Sequence, residues 1–186
     1  VVLCPRVSAL PRQQWNACMT DLKFEITNAE ALPDRTTPSL GLSVTVTNRG
    51  PEPAIHSILF RCHIVIECSH RPYCGAEQER LRELFGDVEG WDQPLQPLSW
   101  MDITETVAGF ERRATYVLRV CCAYDRNVAV AKYFHALETG CVPLSVRFSG
   151  SAFYAGSDAR LHVLPIPSEC EARFHLPISL WKEVTI

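Results

Sequence analysis

The residues best suited to chemistry lie in one short stretch, Cys62-His63-x4-Cys68-x-His70-x3-Cys74. Thiolate and imidazole at close spacing are the ligands of zinc and iron–sulfur centres, so this run raises a metal or redox site. Its local pattern removes part of the set. Ile58, Phe60, Cys62, Ile64, Ile66 and Cys68 share one parity, whereas Arg61, His63 and Glu67 take the other. A period of two sustained this far describes a β-strand with one face on a core and the other turned to water. At about 3.3 Å per residue Cys62 stands roughly 20 Å from Cys68, too far to share an ion, and His63 points away from both. Cys68, His70 and Cys74 survive at the strand end, three candidate ligands in need of a fourth such as Cys170 or His175. The same thiols serve equally as small core hydrophobes.

Other chemistry is thinner. Cys121-Cys122 would place its two thiols on opposite faces of a strand, and no Cys-x-x-Cys motif occurs. Nine cysteines, an odd number at irregular spacing, do not form a disulfide framework. Ser149-Gly150-Ser151 reads as a tight turn, because no Gly-x-Ser-x-Gly elbow stands between strand and helix. Asp87, Glu89 and Asp92 surround Trp91 as a solvated acidic loop, and there is no phosphate-cradling glycine loop. The aromatic residues Trp91, Trp100, Tyr133, Phe153, Tyr154 and Trp181 fall at element ends or in loops. Burial is the default for such side chains, but a subset left outside would form a protein-binding patch. Trp91, Phe153 and Tyr154 are the candidates for it.

The elements that must position these residues are mostly strands. Leu22, Phe24 and Ile26 begin a first one, and Leu40, Leu42, Val44 and Val46 line a second, closed by the turn Asn48 to Pro53. The long Cys62 strand is the third. From Glu77 to Phe85 the period becomes helical, with Leu81, Leu84 and Phe85 inward, Glu77, Glu79, Arg80 and Arg82 around the rest, and Gly86 as the stop. Pro94 and Pro97 reduce Trp91–Ile103 to a loop leading into a short edge strand. Tyr116 to Cys122 is a further strand. Asp125 or Asn127 caps a short helix with Val130, Ala131, Phe134 and Leu137 inward. Strands at Val142–Phe148, Leu161–Val163 and Cys170–Leu176 follow, and Pro177 opens a closing helix through Trp181. The fold class expected is mainly β, an antiparallel β-sandwich with two or three short peripheral helices.

Composition narrows the partners. The net charge is −3, and the longest basic cluster is Arg112-Arg113, so nucleic acid is excluded as a partner. No run reaches the ~18 apolar residues of a membrane span. Arg6, Arg12, Pro5 and Pro11 interrupt the first 18 residues, which lack a secretory signal's apolar stretch. Met19 reads as the translation start, residues 1–18 as an extension without structure, and residues 19–186 as one sandwich-like domain. The expected location is the cytoplasm.

Several stretches also carry a resemblance. They are Ile55-His56-Ser57-Ile58 into Arg61-Cys62, Ala131-Lys132-Tyr133-Phe134 with Val142-Pro143-Leu144, Ser149-Gly150 with Phe153-Tyr154, and Pro165-Ile166-Pro167 to Leu176-Pro177 with Trp181. Together they make the chain, from Leu22 to Trp181, resemble an uncharacterised bacterial family of actinobacterial type whose genes often sit among those for NiFe hydrogenases. The resemblance supplies no catalytic residue and no cofactor. It implies a non-enzymatic cytoplasmic accessory protein whose protein partner is a hydrogenase or a maturation component. Two alternatives stay open: a metal or redox protein using Cys68, His70 and Cys74, and a hydrolase, if a surface pocket joins serine, histidine and acid.

Overall fold

Alternating apolar residues become eight strands in the computed structural model, which describes residues 20–33, 36–51, 54–91, 95–155 and 160–186. The strands are β1 (Leu22–Ala31), β2 (Ser39–Asn48), β3 (Ile55–Ile66), β4 (Leu98–Phe110), β5 (Arg113–Cys121), β6 (Cys141–Ala155), β7 (Leu161–Pro165) and β8 (Glu171–Pro177). Three helices accompany them, α1 (Gly75–Phe85), α2 (Val128–Ala136) and α3 (Ile178–Thr185). The expected extension 1–18, Asp92 and Pro94 lie outside the described residues.

The strands form two antiparallel sheets. One has three strands in the order β1-β2-β5. The other has five, running β4-β3-β6, with β7 and β8 both on the far side of β6. There β7 pairs with Ser151–Ala155, and β8 pairs with Cys141–Arg147. The antiparallel sandwich with short peripheral helices read from the sequence is the architecture found.

The core is the space between the inner faces. Phe24 stacks on Phe148 at 4.2 Å, and Phe60 leans on Phe148 and Tyr116 at 5.8 and 5.4 Å. Leu40, Val44, Ile58, Cys62, Ile64 and Leu118 fill in around them, all fully buried. The helices form a second packing centre, where Trp181 of α3 stacks on Phe134 of α2 at 4.9 Å and Trp100 abuts Phe134. Asn127 fixes α2 in place. Its side chain accepts from Val130 N and donates to the carbonyls of Ser99 and Trp100, so one residue caps the helix and ties it to β4.

Three local expectations change. Glu77 does not sit on the outer side of α1; its side chain is 5% exposed, because Arg71 pairs with it at 3.1 Å. Its carboxylate also accepts from the backbone of Cys74 and of Glu138, which joins α1 to the segment after α2. A charge can be buried where this many donors replace water. The strand after Pro97 is not short, since β4 runs for 13 residues along β3. Pro97 merely precedes its first residue, where a missing amide costs nothing in the ladder. Ser149-Gly150-Ser151 is not a turn but the middle of β6. Gly150 has φ +135°, and a Cβ there would lie 2.2 Å from the Leu59 carbonyl oxygen. Glycine marks a close approach of two backbones.

The β4 edge has one further feature. Glu105 lies opposite Phe60 and so shares its inward face, yet it is exposed.

Candidate functional site

The outer face of the five-stranded sheet carries the chemistry. His63 of β3 faces Asp102 of β4 on one side and Arg147 of β6 on the other, and Arg147 in turn faces Glu171 of β8. Directly opposite residues of an antiparallel pair share a face, so these four make one polar row. The neighbouring row is Thr104, Arg61 and Ser149.

Asp102 holds this cluster together. It receives Arg61 through Nε at 3.3 Å and an Nη at 3.0 Å, and its Oδ1 lies 3.0 Å from His63 Nδ1. The Arg61 hydrogen bond, followed by that from His63, keeps the Asp102 carboxyl below its ordinary range. Arg173 does the same for Glu171, whose ion pair with Arg147 is a loose 3.9 Å. Arg61, His63, Asp102, Arg147, Ser149 and Ser168 surround a shallow open depression of about 420 Å³. Its lining also takes in Phe148 between Arg147 and Ser149, a residue whose ring packs in the core on the other face. A surface pocket therefore does join serine, histidine and acid. Ser149 Oγ, however, donates to the Arg61 carbonyl at 3.5 Å and has no contact with His63.

Further along the same face the character changes. Leu59 follows between Thr106 and Ser151, and the next row is Ala108, Ser57, Phe153 and Val163. Leu59, Val163 and Leu161 are 45%, 53% and 53% exposed. A charged half and an apolar half thus lie side by side.

The sequence candidates scatter by comparison. Phe153 is half-buried on this outer face, but Tyr154 points the other way and is buried. Trp91 packs edge-on against Tyr73 and Phe85, near the Ile66 end of β3, about 30 Å along the sheet from Phe153. The three do not make one patch. Cys68, His70 and Cys74 do not converge either. The Cys68 thiol is buried and bonded to the Ile66 carbonyl, Cys74 caps α1, and His70 is exposed. Burial pushes the Cys68 thiol up to about 11. Among the described residues no group of three such side chains is placed to hold an ion. Cys121 and Cys122 do face opposite ways, one half-exposed and one buried.

Sequence reading missed Asp102 and Arg147. Their signal was parity, but it becomes legible only once the register that sets both beside His63 is known.

Among the described residues no helix is long and apolar enough to cross a membrane. No curated protein matches the chain. Solved structures with a likeness include a candidate late embryogenesis abundant (LEA) protein, 11% identical over 89% of this chain and 76% of that one, with a TM-score of 0.35. A candidate ApaA protein from Bordetella pertussis is 14% identical over 85% of this chain and 94% of that one, with a TM-score of 0.27. A β-glucosidase from Kluyveromyces marxianus, in complex with glucose, is 12% identical with a TM-score of 0.29, over 84% of this chain and 15% of that one. Likeness this slight transfers no function. A family model, by contrast, matches residues 19–186, and the chain belongs to that family, the family of unknown function DUF6084.

Proposed function

We propose that this is a non-enzymatic accessory protein that binds a protein partner through the outer face of the five-stranded sheet. The observation that carries the reading is the exposure of Leu59, Val163 and Leu161, which come from three successive rows around Phe153, on a face carrying charged side chains at its other end. Apolar area with a polar flank is the composition of a protein interface. The gene context of the family it resembles makes a hydrogenase or a maturation component the first partner to test.

The test compares the wild-type protein with a Leu59→Ser/Val163→Ser variant as baits in the native host. A hydrogenase-related protein recovered by the first and lost by the second is the expected result. Unchanged hydrogenase activity in a deletion strain, with identical captures by both baits, would count against it.

The same depression supports a second reading, ester hydrolysis, because His63 and Asp102 form a dyad near Ser149. Against it, the Ser149 hydroxyl is turned to the Arg61 carbonyl and not to His63. Turnover of p-nitrophenyl esters that disappears in both Ser149→Ala and His63→Ala would favour hydrolysis over binding.

A further inference from the structure

The charged half of this face is more specific than a generic polar flank. We infer that it recognises an acidic segment of the partner, with carboxylates carried on an extended chain; this rests on the protein-binding reading above. The chain as a whole is acidic, with a net charge of −3, yet this row and its neighbours gather Arg61, Arg147 and Arg173 against Asp102 and Glu171. The local excess is positive. Arg61 and Arg147 are each 62% exposed. They lie diagonally across adjacent strands, roughly 7–8 Å apart at the backbone, within reach of neighbouring carboxylates.

Their present partners leave capacity. A guanidinium has five N–H donors, and Asp102 engages Arg61 through two of its nitrogens. Arg147 reaches Glu171 only at 3.9 Å.

The occupant follows from the openness of the site. A free anion in a shallow depression gains little, because exposed ion pairs are weak in water. Carboxylates borne on a chain gain a second hold from Leu59 and Phe153, one and two rows away on the same face. The depression and the apolar rows then act as one linear site. Asp102 is its internal competitor, standing where an incoming carboxylate would dock.

Fluorescence anisotropy with two labelled peptides tests this, one alternating glutamate and leucine, the other glutamine and leucine. Wild type should prefer the glutamate peptide by about tenfold or more at low salt, and salt should erase the preference. Arg61→Gln and Arg147→Gln should each remove most of that preference while the melting temperature holds. Asp102→Asn should strengthen binding of the glutamate peptide, an outcome that a merely structural cross-strand ladder would not produce. Equal affinity for both peptides, full displacement by inorganic phosphate, or weakening in Asp102→Asn would overturn the inference. Should Leu59→Ser/Val163→Ser abolish partner capture while Arg147→Gln leaves it intact, the binding reading stands and the acidic specificity fails. If neither variant alters any capture, both fail.

Discussion

Arg71 sends one guanidinium nitrogen to both carboxylate oxygens of Glu77, at 3.1 and 3.2 Å, in a pair whose side chains are 10% and 5% exposed. The pair closes the seam between the end of β3, α1 and the loop after α2, where Arg71 also donates to the Thr139 carbonyl. Tyr73 continues the seam, with its hydroxyl 2.8 Å from that of Tyr133 and 2.7 Å from the Cys68 carbonyl.

Breaking this pair from one side should be costly. Arg71→Met leaves the Glu77 charge buried with only backbone amides for company, and a loss of about 3–5 kcal/mol is expected. Arg71→Met/Glu77→Gln should recover part of that loss, since glutamine buries no charge and its single amide oxygen can still accept from one of the two amides, Cys74 or Glu138, that bond to different Glu77 oxygens. Urea denaturation of the three proteins measures it. A double variant no better than the single one would contradict this account.

Phe60 and His63 should diverge sharply although only two residues lie between them. Phe60 is 1% exposed amid Phe24, Tyr116 and Phe148, and truncation to alanine should cost about 3–5 kcal/mol. His63→Ala removes an exposed partner of Asp102 and should stay within about 0.5–1 kcal/mol. Thermal melts decide, and an unchanged midpoint for Phe60→Ala would remove the support for this packing.

The thiols should divide by burial. Desolvation pushes Cys62 and Cys122 up to about 12 and Cys68 up to about 11. Alkylation at mildly alkaline pH, mapped by mass spectrometry, should label the exposed Cys74 and Cys141 quickly and these three only on unfolding. Rapid labelling of Cys68 in the folded protein would refute its burial.

Asp102 should make stability weakly dependent on acid. Its carboxyl is depressed in the folded state, chiefly by Arg61, so its stabilising contribution is fully present above the unfolded aspartate range. That contribution disappears as pH falls through the lower folded value. Exposure limits it to about 0–1 kcal/mol. Wild type and Asp102→Asn should differ in denaturation midpoint at neutral pH and converge in acid; a difference that grows in acid would reverse the sign.

The sandwich was legible because period-two patterns need no knowledge of partners: Leu40 to Val46 and Ile58 to Ile66 are buried as their parity required. The cap of α2 was readable as Asp125 or Asn127, and the structure selects Asn127, three before the amide it serves. Glu77 was not, because its partner Arg71 precedes the helix and no periodicity registers it. Gly150 misled for a related reason. Glycine between two serines has the composition of a turn, and only the neighbouring Leu59 carbonyl reveals it as a close contact. The candidate site fared worst, since His63, Asp102 and Arg147 come from three strands whose alignment the sequence does not state.

The inward-facing Glu105 bears on how these molecules behave in a crowd. An edge strand of 13 residues is a template on which another chain's strand can add, and from there a fibre can grow. A strand laid against β4 would continue the inner apolar layer past Phe60 and trap the Glu105 carboxylate between hydrocarbon surfaces. That penalty is met before any new ladder bond is secured, so the sheet has a terminus written into it. Replacing the carboxylate with valine would turn that terminus into a growing end, and concentration-dependent aggregation would follow without any loss of monomer stability.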